Sequence, residues 1–590
     1  MEKSPEEIHA DELIVDSNAC VENRQTKTGR WKAAKYIIGN QGLSCLGFYG
    51  AIINLVVYFT DVLHQGNATA ANNVSTWAGT ASLFPVVGAF VADAYWGRYR
   101  TCVALSCVSV VGMGLMVLSA ALPTLKPPPC PESSLTTGKC KKATSLQMSF
   151  FFMALYVMSF GAAAYMPCLT AMGADQFDEE VDEEKQQKSS FFNWFYLSVN
   201  VGALFSSTLL VYMEQTISWW LVFAICTGSV LASVLILISG SRMYRLKESG
   251  GNPFPRLLQV LVASARKWKV KVSSDYSTVS YHVGNRLYEV SERCSTIKGS
   301  RKVAHTNVYR FLDKAATETE GERKTREKGQ MISPWQLCTV TQVEEVKFLL
   351  RLFPVWVTSI LFSTVYVQMS TLFVEQGNLM NTQAGSLNIP AAAVSTFDTI
   401  SVILWVPIYD RVIVRVAKHW TGHSRGLTSL QRIGAGLAIS ILSMIAAALI
   451  EINRLRIAEE EGVMATGEAV KSMSVFWQVP QYAIVGAAEV FTYIGQMELF
   501  YDESPDALRS LSIALMGVGS ALGNYISTLL VVVVNKITSS HGNREPWIPE
   551  ENLNLGHMDR FFWLLASISA TNLVLFIWFS RRYQYTVHLP

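Results

Sequence analysis

Twelve runs of roughly 20 predominantly apolar residues punctuate this chain, the length that crosses a bilayer's hydrocarbon core as a helix. They lie at 33–61, 74–95, 101–123, 145–171, 189–212 and 217–239, then at 345–374, 388–410, 430–452, 473–500, 508–535 and 560–580. The composition agrees: the 590 residues are 50% hydrophobic and only 16% charged, against about a quarter charged in a soluble domain. The first 30 residues are polar and acidic, so no cleavable signal peptide is expected. The spacing predicts an all-α membrane protein of twelve transmembrane helices.

The runs fall as six, a long polar connector, then six. This divides the chain into an N-terminal segment (1–32), a six-helix bundle (33–240), a connector with an amphipathic helix (241–344), a second six-helix bundle (345–580) and a tail (581–590). Two such halves suggest rocking about a central site, as in transporters built from repeats. Lys and Arg set the orientation. Arg24, Lys27, Arg30, Lys32 and Lys35 precede the first span, and Arg581 and Arg582 follow the last. Residues 241–336 hold 19 Lys and Arg against 9 Asp and Glu. Both termini and the connector are therefore expected in the cytoplasm, although the loop 124–144 with Lys126, Lys139, Lys141 and Lys142 runs against the rule. Within the connector, PFPRLLQVLVASARKWKVK (253–271) has the basic amphipathic pattern of a helix lying on a membrane surface.

On the opposite side, Asn67 and Asn73 open glycosylation sequons, the second abutting a span. Cys130 and Cys140 bracket a Pro- and Ser-rich loop and can pair if it faces an oxidising compartment. The other eight cysteines lack metal-ligand spacing and read as small apolar fillers. The chain shows no nucleotide-binding glycine loop after a strand, no metal-binding histidine pair and no nucleophile motif with a base. No enzyme activity, cofactor, metal or nucleic-acid partner is expected. A transporter, a channel and a transport-linked sensor remain open.

The stretch GAFVADAYWGRYR (88–100) places Asp93, Arg98 and Arg100 around a tight turn, where an ion pair can lock neighbouring helix ends. A shortened version, Tyr409-Asp410-Arg411, stands at the equivalent place in the second half. Ordinary positive-inside charge is the competing explanation, but the full spacing resembles the signature loop of the major facilitator superfamily. A narrower resemblance follows. FYLSVNVGAL (195–204) is similar to the signature of proton-dependent oligopeptide transporters. GNATAAN (66–72), GADQFD (173–178), FLDKAA (311–316) and VPQY (479–482) resemble the plant nitrate/peptide transporter family, a likeness that runs over residues 28–583. NQGL (40–43) and VTQVEEVK (340–347) look most like its long-distance xylem nitrate transporters. The resemblance implies the major facilitator fold and proton-coupled movement of nitrate or another small solute such as a di- or tripeptide. An uncoupled facilitator, a proton/potassium exchanger, or a carrier of a hormone or glycoside are the alternatives. The expected setting is the plasma membrane in preference to the vacuolar membrane, in contact with lipid, as a monomer or weak dimer.

In most members of that family the first span carries E-x-x-E-R, implicated in proton coupling; those positions here are Gln41, Ser44 and Cys45, in GNQGLSCLGFYG (39–50). The family's cavity lysine falls on Met166, and the nitrate-binding histidine of one member on Tyr366. Away from helix ends, Asp398 and Glu489 are the clear ionisable residues in the spans, and such groups usually face a cavity. Glu489 occupies the family's span-10 glutamate position without its lysine partner. A carboxyl in a low-dielectric cavity with no cation beside it favours the protonated form and can carry a proton; permanent hydrogen bonding inside the bundle is the alternative. Gln41, Ser44, Tyr49, Tyr366, Gln368, Ser370 and Gln496 are the expected neutral lining, with helix packing competing at each. Trp477, Phe195 and Tyr196 read as wall. Thr101 matches a phosphorylated threonine of one family member, although threonine at a helix start is usually a cap.

Overall fold

The protein is described by a computed structural model covering residues 29–65, 67–128, 141–178, 181–247, 249–270, 287–288, 303–330, 332–384, 387–422, 426–539, 546–549 and 552–585. Cys130 and Cys140 lie outside the described residues. Among the described residues, eleven helices are long and apolar enough to cross a membrane: α1 (Arg30–Val62), α2 (Asn73–Trp96), α3 (Arg98–Ala121), α4 (Ser145–Ala174), α5 (Glu183–Glu214), α6 (Trp219–Met243), α7 (Val340–Asn378), α8 (Ala391–Thr421), α9 (Ser429–Glu460), α11 (Asp506–Ser539) and α12 (Met558–Arg582). The twelfth, α10 (Val479–Glu503), is as long but less apolar, because Gln481, Glu489, Thr492, Gln496 and Glu498 all lie on its buried surface.

Local chemistry explains where the helices start. Thr144 with Gln147, Thr339 with Gln342 and Thr428 with Gln431 form reciprocal capping boxes at α4, α7 and α9. The box at Thr339 starts α7 five residues before its apolar run, so the polar sequence VTQVE is helical rather than connector.

The first half pairs α3 with α4 and α1 with α5 and α6; the second pairs α9 with α10 and α12, α7 with α11, and α8 with α10. Small residues permit the closest approaches. A Cβ on Gly88 would stand 1.9 Å from the Ala164 carbonyl oxygen, and one on Gly523 2.5 Å from the Ser363 Cβ, so α2 and α4, and α7 and α11, touch through backbone. The halves meet through α2 and α4 on α11, and through α5 on α8 and α10. In α2 and α8 the helix widens into a π turn, Ala92–Trp96 and Tyr409–Ile413. Such turns are frequent where a helix serves a function. Each holds an aspartate of the repeated motif, and Gly97 at φ 74° then turns the chain into α3.

The described part of the connector packs on the foot of α7. Its helix Pro253–Arg266 buries Val260 and Ala263 against Leu312, Ala315, Cys338, Val343 and Val346. Arg256 pairs with the buried Glu345 at 3.4 Å. His305, Asp313 and Glu344 converge nearby, and the Lys347 ammonium supplies their cation, 2.6 Å from Asp313 and 2.8 Å from Glu344.

Candidate functional site

Two polar latches join the halves at the end that the Lys and Arg distribution assigns to the cytoplasm. In the first, Asp93 accepts from the Ser510 hydroxyl at 2.7 Å and from the Leu511 backbone N–H at 3.1 Å, at the start of α11. That helix end carries free N–H groups, a favourable seat for an anion. Arg98 donates to Asp93 (3.2 Å), Ser510 (3.1 Å), the Asp506 carbonyl (2.7 Å) and Asp175. Asp175, just past the end of α4, also accepts from Tyr501 at 2.6 Å and Arg509 at 3.3 Å, with Lys247 at 3.0 Å. Burial alone would raise the Asp175 carboxyl, but Arg98, Lys247, Arg509 and the Tyr501 hydroxyl together hold it well below the usual carboxylate range. Its contacts to Tyr501 and Arg509 tie one half to the other.

The second latch repeats the design. Asp410, in the π turn of α8, accepts from Ser190 (2.9 Å), Asn193 (2.9 Å) and Trp194 (3.3 Å) of α5. Arg432 donates to Asn193 at 2.7 Å and lies over the Tyr409 ring at 3.8 Å. Lys188 of α5 pairs with Asp502 of α10 at 2.6 Å. Arg98 and Asp410 thus stand inside the latches, whereas Arg100 is exposed and Arg411 is an exposed cation over Trp194 at 5.7 Å. Thr101 is fully buried, its hydroxyl donating to the Gly97 carbonyl at 2.9 Å.

Deeper between the halves lies a pair of carboxyls among phenols. Glu489 of α10 is 3% exposed and accepts a hydrogen bond from the Tyr196 hydroxyl of α5, directly across the interface. Asp398 of α8, equally buried, faces Glu489, and each carboxyl keeps one oxygen with no hydrogen-bond partner. Tyr366 of α7 and Tyr49 of α1 face the same group, and Tyr493 closes the cluster, its ring centroid 5.5 Å from Tyr366 and 6.5 Å from Tyr196. Among the described residues, the groups that interact with Glu489 are Tyr196, Tyr366 and Asp398, none of them cationic. Five different helices contribute, three from one half and two from the other if Tyr366 and Tyr493 are counted with their bundle, so the cluster exists only while the halves are together.

Other expected lining residues are placed differently. Gln41 is buried, accepts from Tyr165 at 3.0 Å and sits 3.1 Å from the Cys45 sulfur; Ser44 faces the same tyrosine. Both are held inside the first half. Gln368 donates to the Thr364 carbonyl (2.8 Å) and to Ser527 (2.7 Å), tying α7 to α11. Ser370 is exposed on a turn beyond the regular part of α7, and Met166 packs at the edge of the central apolar cluster. Gln496 is buried with its amide nitrogen unpartnered, two turns further along the same face of α10 from Glu489.

The family model described as POT family matches residues 99–548. Two Arabidopsis thaliana proteins, NRT1/PTR FAMILY 8.3 and 8.1, are 47% and 46% identical over 98% of this chain and 95% and 98% of their own lengths. This chain belongs to the POT family. A third relative, NRT1/PTR FAMILY 7.3 of the same plant, is 40% identical over 95% of this chain and 89% of its own length. Among solved structures, the POT family transporter PepTSo superposes with a TM-score of 0.58 at 17% identity, over 94% of this chain and 98% of that one. An auto-inhibited POT family peptide transporter gives 0.57 at 18% identity, over the same shares. The fold is that of these transporters, and the protein is a multi-pass membrane transporter of the nitrate/peptide type.

Four residues of the candidate site in this POT-family chain escaped the sequence reading. Tyr196, read as wall, is the cross-interface partner of Glu489. Asp175 stood inside the GADQFD string with nothing to distinguish it from Asp178, and only the fold brings three cations to it. Arg432 and Asn193 lie in different halves with no sequence signal for their meeting.

Proposed function

We propose that the chain is a proton-coupled secondary transporter in which Glu489, with Asp398, carries the proton, and the latches of Asp93, Arg98 and Asp410 open and close the cytoplasmic side. The observation that carries this reading is the hydrogen bond from Tyr196 to Glu489. It joins the halves through a group whose protonation changes what it can accept, so proton binding and alternating access share one contact. Proton transfer to Glu489 weakens its hold on the phenol and frees the halves to part; ionisation restores it.

The same site favours a substrate bearing an ammonium or amide donors over a bare anion. Two carboxyls and the phenols of Tyr49, Tyr366 and Tyr493 surround it, and Met166 and Tyr366 stand where family members carry a cationic lysine and a histidine. A di- or tripeptide fits that chemistry. Nitrate would find only neutral donors, Gln41, Ser44 and Gln496 among them, and is the second reading. An uncoupled facilitator is the third, motivated by the loss of all three ionisable groups at Gln41, Ser44 and Cys45. Uptake of a dipeptide and of nitrate into proteoliposomes, with and without an imposed pH gradient, separates the three.

One chain supplies both halves of the site, so a monomer suffices. The connector helix shows Phe254, Leu258 and Leu261 on its exposed side, with Phe254 5.3 Å from Phe90 of α2. That apolar stripe supports contact with the cytoplasmic leaflet. The plasma membrane is our assignment over the vacuolar membrane, to be checked by fractionation. Thr101 serves as a regulatory site only when the cytoplasmic latch is open, because its hydroxyl is buried in the closed arrangement.

A further inference from the structure

Glu214 ends α5 at the end opposite the latches and takes no part in the site above. It is 3% exposed, and neither carboxyl oxygen has a hydrogen-bond partner. The Asn54 amide of α1 faces it without closing a hydrogen bond, its own nitrogen also unpartnered. The Cys226 thiol of α6 faces it from a third helix. Among the described residues these are the polar and titratable groups directed at it, and neither is cationic.

The three groups meet where two helices are loosened. Regular α-helix in α1 stops at Ile52, Asn54 leaves helical geometry at φ −107° and ψ 23°, and the chain then passes through the π turn Tyr58–Val62. In α5 a π turn at Ser206–Leu210 precedes Glu214. An ionised carboxylate with both oxygens bare inside a membrane bundle is costly, and relief requires water or a moving partner. The neutral acid fits the arrangement as it stands. The nearest movable partner is Asn54, at the break in α1, little more than one helical turn from Tyr49, whose phenol faces Glu489.

We propose that Glu214 is a second proton-binding carboxyl, reached from the non-cytoplasmic side, whose ionisation draws the Asn54 amide onto it and so sets the break in α1 that positions Tyr49. This does not depend on Glu489 carrying the coupled proton. The gain and loss of a proton at Glu214 involves solvent water alone.

The test is infrared difference spectroscopy of the full-length protein in lipid, titrated in pH, on wild type, Glu214→Gln, Glu214→Asp and Glu489→Gln. A protonated-carboxyl band that titrates in wild type should vanish in Glu214→Gln, persist in shifted form in Glu214→Asp and remain in Glu489→Gln. In parallel, uptake is measured with internal pH fixed and external pH varied. Glu214→Gln, which mimics the neutral acid, should keep the acid-side uptake rate and lose part of the external-pH dependence, with Glu214→Asp restoring it. An unchanged band and an unchanged external-pH profile in Glu214→Gln would overturn the proposal. So would equal loss of uptake at every pH without rescue by Glu214→Asp, which marks a purely structural group. Failure of Glu489→Gln alone bears on the central site and leaves this result standing.

Discussion

Removing the charge of Asp175 should open the latched end. Asp175→Asn keeps the side-chain shape but weakens four contacts, to Arg98, Lys247, Tyr501 and Arg509. Arg98 and Lys247 follow or precede helices of the same half and stay beside residue 175 in either state. Only Tyr501 and Arg509 belong to the other half, so only they bias the closed state. A hydrogen bond to a charged group is worth about 1.5–3 kcal/mol, and the two contacts together therefore favour closure by about 3 kcal/mol, a shift of roughly 150-fold in the open-to-closed ratio. Tyr501→Phe removes one donor and should shift it by about 10-fold or more. The readout is built in. Cys102 and Cys168 are fully buried beside Asp93 and Arg98, and their alkylation from the latched end requires the latch to open. Per-residue mass spectrometry should show both cysteines labelled faster in the two variants, Asp175→Asn ahead of Tyr501→Phe. The effect should be flat between about pH 5 and 8. A carboxyl held below its ordinary value contributes its stability above that value, near 3.9, and loses it only as pH falls further. Labelling at wild-type rates in both variants, with folding intact, would refute the reasoning that these contacts hold the halves together.

Two further expectations rest on single contacts, and a third on the sequence alone. Arg256→Met leaves Glu345 buried without its partner, which costs about 3–5 kcal/mol; the connector should become protease-sensitive, and adding Glu345→Gln should restore protection. Tyr196→Phe removes the cross-interface donor to Glu489 without changing the core volume, so proton-driven uptake should fall several-fold while the unfolding midpoint moves little. Cys130 and Cys140 should be found as a disulfide-linked peptide under non-reducing digestion, and two free thiols would contradict that pairing.

Much of the architecture was legible because lipid imposes a simple rule: a helix that crosses it must be long and apolar. The six-plus-six division and the two aspartate turns follow from that rule and from charge placement. The weakest apolar signal, α10, is also the helix that carries Glu489, since a buried polar surface serves the site and degrades the hydropathy. Partners were not legible. Gln368 and Gln41 were expected to face a cavity, yet Gln368 bonds Ser527 on α11 and Gln41 is held by Tyr165 on α4. Helical period tells which residues share a face and says nothing of whether that face meets water or another helix. Tyr196 illustrates the converse: an aromatic in an apolar run reads as filler until a carboxyl arrives from a residue nearly 300 positions away.

The central claim, that Glu489 couples a proton to movement of the halves, is tested most directly by comparing two fluxes in one proteoliposome preparation. Glu489→Gln keeps a hydrogen-bond acceptor for Tyr196 but cannot exchange a proton. Dipeptide counterflow, which needs no net proton movement, should persist in this variant, while accumulation driven by an imposed pH gradient should be lost. Gradient-driven accumulation at the wild-type level in Glu489→Gln would contradict the account.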